Sequence, residues 1–161
     1  MLQWFQDRAL EVEPEFPQIV TLAPFVQYDS AARNEYILVR VGNLYMQYNR
    51  AIAYNADSGE YPDTLVVVRQ RDNLQGTDLL VGLNAGEEYR EDYGNEQITV
   101  HVCSRTSRGG AFGADILTVS VGYGRSLCNS RVPAQPVPVP SVPSPVPPPP
   151  TPRPVAPPPP A

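Results

Sequence analysis

The chain has 161 residues, 20 of them proline, and a formal net charge of −5. Roughly 130 residues precede a proline-rich end, enough for one ordinary domain. The acidic balance argues against a nucleic-acid partner, and no apolar run approaches the length of a membrane span. All 12 basic residues are arginine, a bias that suits a GC-rich genome more than any particular chemistry.

The first eight residues, Met1 to Arg8, have neither a basic n-region nor a continuous apolar stretch, so they do not read as a signal peptide. Residues 1–16 read as an entry segment. Its apolar residues (Leu2, Trp4, Phe5, Leu10, Val12) follow no single period. From Pro17 onward the punctuation is that of a β protein. Strands are expected at Gln18–Ala23, Tyr36–Val41, Leu44–Tyr48, Thr64–Gln70, Asp78–Leu83, Gln97–Cys103 and Ile116–Val121. Each is rich in Val, Ile, Leu, Tyr or Thr and bounded by Gly, Asn, Asp or Pro. Alternation is clearest at Ile98, Val100 and Val102, which share one face. The run Val66-Val67-Val68 suits a strand covered on both sides. Gly42-Asn43 is a two-residue hairpin signal, and Arg108 to Gly113 reads as a glycine-rich connection. No window of helical period stands out. Residues 17–131 are therefore expected to form an antiparallel β-sandwich or jelly-roll-like domain.

Sixteen of the 29 residues from Pro133 to Ala161 are proline. Proline fixes φ and donates no hydrogen bond, so residues 132–161 are expected to be a disordered polyproline II segment and not helix or sheet. At about 3.1 Å per residue such a segment extends to roughly 90 Å, a semi-rigid spacer. Runs of this kind belong to extracellular, hydroxyproline-rich stalks. Ser141, Ser144 and Thr151 are candidate O-glycosylation sites beside hydroxylated proline. Arg153 completes neither usual SH3-ligand register, which leaves cytosolic SH3 docking a weak alternative.

Cys103 and Cys128 each close a strand-like stretch. Their even number beside a secreted-type segment favours a disulfide, with two buried free thiols as the alternative. The loop so closed implies roughly 3 kcal/mol on the chain-entropy model. His101, the only histidine, would have to serve any Ser–His or Cys–His hydrolase; a half-buried strand histidine is the simpler reading. Asp57, Glu60 and Asp63 are weak calcium candidates, or an ordinary acidic turn. Glu87, Glu88, Glu91, Asp92 and Glu96 read as a solvated loop face, with a weak cation site as the alternative. Tyr45, Tyr48, Tyr54 and Tyr61 are half-buried sheet residues or a sugar- or protein-binding surface. No Walker loop, dinucleotide fingerprint or H-E-x-x-H motif occurs, so the residues themselves name no reaction and no cofactor.

The stretch Asn43-Leu44-Tyr45-Met46-Gln47-Tyr48-Asn49-Arg50-Ala51 resembles a recurring segment of gametolysin-like metallopeptidases of volvocine green algae. There a Leu-Tyr-x-x-Tyr/Phe-Asn-Arg-Ala pattern precedes an acidic turn and a Val-rich strand. Gly59-Glu60-Tyr61 and Thr64-Leu65-Val66-Val67-Val68 hold those places here. Val20-Thr21-Leu22-Ala23-Pro24 is similar to the start of the same region. Val100-His101-Val102-Cys103-Ser104-Arg105 with Leu127-Cys128 is similar to its close. The resemblance spans roughly residues 17–128. It implies a secreted setting and a parent family of zinc peptidases that degrade wall glycoprotein. The chain departs from the family in its metal site, because one histidine cannot supply the ligands. No catalytic residue carries over. The resemblance thus implies a non-catalytic region placed after the catalytic domain of a longer secreted protein. Its partners would be that domain or cell-wall and matrix glycoproteins. The alternative is a structural matrix glycoprotein with a β-sandwich binding head.

Overall fold

The computed structural model describes residues 7–52, 55–57, 59, 61–71, 76–107 and 115–128. Tyr54, Glu60, the glycine-rich connection 108–113, and residues 132–161 with Ser141, Ser144 and Thr151 lie outside the described residues. The described residues form an all-β fold, with nine strands in two sheets. The strands are β1 (Ala9–Val12), β2 (Gln18–Leu22), β3 (Leu38–Val41), β4 (Leu44–Asn49), β5 (Thr64–Gln70), β6 (Thr77–Leu83), β7 (Glu88–Tyr93), β8 (Glu96–Ser107) and β9 (Asp115–Tyr123). The first sheet has the order β1-β3-β4-β5-β6 and the second β2-β9-β8-β7. A short 3-10 segment, Phe25–Ser30, links β2 to the first sheet.

The expected period-two pattern is what closes the two sheets over one core. β4 alternates strictly, with Leu44, Met46 and Tyr48 fully buried. Val39, Val41, Leu65, Val67 and Leu83 extend that face. Val20, Leu22, Ile98, Val100, Val102, Leu117, Val119 and Val121 of the second sheet meet it in one hydrophobic cluster. Burying each such side chain contributes about 1.5–3 kcal/mol. Each sheet is mainly a meander: β3 to β6 follow one another in the first, β7 to β9 in the second.

Three expectations need correction. First, the sheets are not wholly antiparallel, because β1 pairs with β3 in parallel, from Ala9 opposite Leu38 to Val12 opposite Val41. The intervening β2 lies in the other sheet, so the chain returns to the first sheet running in its original direction. Second, residues 9–12 of the entry segment are part of the fold, with Val12 in the core. Third, the acidic run at residues 88–93 is a strand, not a loop face. β7 pairs only with β8 and forms the edge of its sheet. Its charges suit an edge, where they discourage pairing with another chain. Tyr89 and Glu91 are half-buried, while Glu88, Arg90 and Asp92 between and beside them are exposed.

Two glycines are required by their surroundings. Gly42 opens the β3–β4 hairpin with φ +56°, and a Cβ there would lie 2.8 Å from Cε2 of Tyr93 on the opposite sheet. Gly122 near the end of β9 has φ +143°; a Cβ there would stand 2.5 Å from Cα of Pro17 and 3.1 Å from the carbonyl oxygen of Pro14. The next amide, of Tyr123, donates to that same carbonyl at 2.7 Å. The substitution Gly122→Ala therefore forces the turn at residues 14–17 away from β9. We expect it to destabilise the fold by about 1–3 kcal/mol. Denaturant melts of the two proteins measure this, and an unchanged midpoint would show that the contact is not restrictive.

Candidate functional site

A shallow concave surface lies on the outer face of the first sheet, over β5 and β6. In register, Val66 faces Gly82 and Val68 faces Leu79, and Leu80 is bulged out between them. The turn before β5 folds back over this face. Tyr61 and Asp63 hold positive φ, +47° and +59°, values that non-glycine residues adopt only when neighbours hold them there. The ties are visible. The Thr64 hydroxyl donates to the Tyr61 carbonyl at 2.8 Å. The Asp63 carboxylate accepts the Ala51 amide at 3.2 Å and lies 3.2 Å from Nε of Arg50.

This turn lays the Tyr61 ring on Gly82, where a Cβ would come within 2.6 Å of the ring carbon Cγ. A groove of about 810 Å³ results, lined by Tyr61, Pro62, Leu79, Gly82, Asn84 and Glu87 among others. Tyr61 and Leu79 are 41 % and 43 % exposed, so their apolar surface is available. One end of the groove is fixed in advance. The Glu87 carboxylate accepts the Asn84 amide at 2.7 Å and its Nδ2 at 3.2 Å, and the Glu87 amide donates to the Asn84 carbonyl at 3.0 Å. The groove is thus open to solvent, with an aromatic and aliphatic floor and a carboxylate at one end.

A second cluster fastens the chain after β9. Residues 124–128 run back over the outer face of the second sheet. The Gly124 amide donates to the Gln97 carbonyl at 3.0 Å. The Ser126 hydroxyl is 2.7 Å from Nδ1 of His101 and accepts the Cys128 amide at 3.1 Å. The Leu127 amide donates to the Ser120 hydroxyl at 2.8 Å. A disulfide joins Cys103 and Cys128, whose Cα atoms are 4.9 Å apart. Ser126, His101 and Glu88 meet here, but not as a proton relay. Glu88 approaches the same Nδ1 at 4.0 Å, whereas a Ser–His–acid relay needs the hydroxyl and carboxylate on opposite ring nitrogens. The cluster therefore reads as a fastening.

A third group is a partly buried ion network that links the two sheets. Asp115 at the start of β9, 7 % exposed in its side chain, accepts from Arg50 and from Nε and Nη2 of Arg105, the latter two at 2.9 and 2.6 Å. The Tyr48 hydroxyl is buried beside these arginines without an aligned hydrogen bond. No local spacing announces the network, since Arg50 and Asp115 are 65 residues apart.

The other sequence candidates are distributed among these structures. Asp63 serves Arg50 and Ala51, and Asp57 is exposed. Tyr48 is wholly buried, and Tyr45 donates to Gln70 at 2.8 Å while lying under the Arg40 guanidinium at 5.6 Å. Glu91 pairs with Arg69 across the sheets, Asp92 accepts Gln97 at 3.0 Å, and Glu96 is exposed. Among the described residues, no group of three or more His, Cys, Asp or Glu side chains converges as a metal site.

Two measurements test this description. Removing Asp115 leaves two arginines facing each other at a largely buried position. Asp115→Ala is expected to cost about 3 kcal/mol, and Arg105→Ala clearly less because the Arg50 pair survives. Equal losses in the two variants would refute the network as drawn. The second concerns alkaline pH. Burial pushes the Tyr48, Tyr36 and Tyr89 phenols above their ordinary value; at Tyr89 the Glu91 hydrogen bond adds to it. Their neutral forms contribute stability that is complete below the unfolded value of about 10 and is lost as pH rises through the folded values. With no lysine in the chain, tyrosines dominate this window. The melting temperature should fall above pH 10, more gently in Tyr48→Phe; identical slopes would count against the assignment.

Comparison with models of known families, with curated proteins and with solved structures finds no match to this chain.

Proposed function

We propose that the chain is the non-catalytic β region of a gametolysin-like secreted metallopeptidase, a targeting or stabilising unit carried behind the catalytic domain. The observation that carries this reading is where the resembling residues fall. The Leu44–Asn49 motif is β4, Thr64–Val68 begins β5, and Val20–Leu22 lies in β2. The Cys that ends the Val-rich stretch in β8 is bridged to the Cys that follows the last strand. The matching segments thus fall mainly in strands of the domain.

In this reading the domain is a β-sandwich; its meander order favours that form over a jelly roll. Residues 132–161 form a disordered polyproline II stalk, glycosylated at Ser141, Ser144 and Thr151, in the cell wall or extracellular matrix. The zinc and its ligands belong to the catalytic domain of the parent family. The partners are that domain or wall glycoproteins. The groove beside Tyr61 gives a specific reason to keep a second reading, a matrix glycoprotein whose β head holds a partner.

Genomic sequence upstream of Met1 separates the two. An in-frame H-E-x-x-H-type motif is expected. A complete signal peptide joined directly to residue 1 would instead establish the matrix reading. Purified chain is expected to show no chelator-sensitive cleavage of wall glycoprotein; such cleavage would overturn both.

A further inference from the structure

We propose that the end of the sandwich built from the turn at residues 13–17 and the β7–β8 hairpin docks a basic segment of a partner protein, with the Phe16 ring as its apolar anchor. The turn and the hairpin are held on one frame. The Phe16 amide donates to the Glu13 carbonyl at 3.0 Å, and the Tyr123 amide donates to the Pro14 carbonyl at 2.7 Å. Tyr123 ends β9 opposite Ile98 of β8, and Tyr93 ends β7 opposite Glu96. The centroids of the Tyr93 and Tyr123 rings are 6.4 Å apart. Tyr93 also rests against Gly42 of the β3–β4 hairpin, so the first sheet supports the same end. Phe16 stands out from this frame with 73 % of its surface exposed, the most of any large apolar side chain among the described residues, and Tyr93 is 39 % exposed. The ring is exposed without being loosely held. Pro14, itself buried, and Pro17, packed on Gly122, fix φ on either side of the Glu15-Phe16 pair. A partner that covers Phe16 therefore has little backbone left to order.

The charge at this end is uncompensated. Glu13, Glu15 and Glu96 are exposed, and among the described residues none of them has an ion-pair partner. Carboxylates elsewhere are matched: Glu11 with Arg40, Asp78 with Arg71, Glu88 with Arg90 and Glu91 with Arg69. Burial raises the Tyr123 phenol above its ordinary value, and Glu15, Tyr93 and Glu96 raise it further, with no arginine acting against them. Glu15 and Glu96 thus reach the same ring from different elements. Arg125, the next cation along the chain, is exposed and pairs with none of the three carboxylates. Carboxylates beside aromatic rings are complementary to guanidinium and ammonium groups, which take ion pairs from the first and ring faces from the second. An aromatic anchor ringed by charge is also the usual form of an interface hot spot. Other occupants fit worse. A nucleic acid or an anionic membrane surface meets like charge here. A second copy pairing through the same end would set these carboxylates against themselves. A lone metal ion lacks ligands, since no group of three or more His, Cys, Asp or Glu side chains converges among the described residues. Nothing in this surface depends on the peptidase ancestry proposed above.

The test titrates the full ¹⁵N-labelled chain, at neutral pH and physiological salt, with a nonapeptide of arginine alternating with serine. A glutamate–serine peptide of the same length is the control. Saturable shifts are expected with the arginine peptide alone, at the amides of Phe16, Gln18, Tyr93, Asn95, Glu96 and Tyr123. Phe16→Ala should weaken binding about tenfold. Glu13→Gln combined with Glu15→Gln and Glu96→Gln should weaken it at least as much. All four side chains are exposed, and unchanged core amide shifts report an intact fold in each variant. Asp57→Asn, an exposed carboxylate in the β4–β5 connection at the opposite end, should leave the affinity unchanged. No saturable shift, or shifts spread evenly over the exposed carboxylates of the chain, would overturn the proposal. So would an affinity that Phe16→Ala leaves intact, since that marks charge attraction without a docking site. Shifts at these amides that grow with protein concentration in the absence of peptide would also overturn it, placing a second copy on this end.

Discussion

The structure depends on the burial of one apolar face from each sheet against the other. β4 and β5 supply Leu44, Met46, Tyr48, Leu65 and Val67; β8 and β9 supply Ile98, Val100, Val102, Leu117, Val119 and Val121. Because side chains alternate along a strand, a slip of one residue in any of these four would carry its apolar set to the outer face. Register is therefore fixed at the centre, and the edges inherit it. The chain can place charged strands such as β7 at the border, and a turn held at positive φ before β5, because neither has to define the fold.

Much of this architecture was legible in the sequence. Seven strands follow from runs of β-branched and aromatic residues with polar or glycine punctuation, and their ends agree with the structure to within a few residues at most positions. β1 escaped because at four residues the Leu10–Val12 alternation is too short to stand out from the irregular apolar residues around it. β7 escaped because its alternation is between half-buried Tyr89 and Glu91 and exposed Glu88, Arg90 and Asp92, which hydrophobicity does not register. Its hairpin nevertheless had a signal. Gly94-Asn95 joins β7 to β8 with φ +65° at the glycine, the same dipeptide that joins β3 to β4. Gly82 inside β6 was likewise a mark of close approach, and the approaching group is the Tyr61 ring. The Arg50–Asp115–Arg105 network had no such mark, since ion pairs across 65 residues leave nothing local to read.

The three side-chain clusters divide the labour of the domain. Arg50 and Arg105 tie the turn region after β4 and the end of β8 to the start of β9. The fastening around His101 covers the outer face of the second sheet and shields Thr99 and Ser120, both almost fully buried. The groove uses the outer face of the first sheet. One sheet is thereby covered in part by its own chain, while the other carries the open groove on its outer face.

The Cys103–Cys128 bridge has a mechanical consequence. Tension entering from residue 129 passes covalently at Cys128 into Cys103, within β8, an interior strand of its sheet bonded to both β7 and β9. β9 and the connection before it lie inside the bridged loop and outside the load path. A pull that would otherwise peel β9 from its sheet one hydrogen bond at a time must instead shear β8 between two neighbours at once. The domain therefore resists force where its proline-rich segment joins it, and it keeps this resistance only while the bridge stays oxidised.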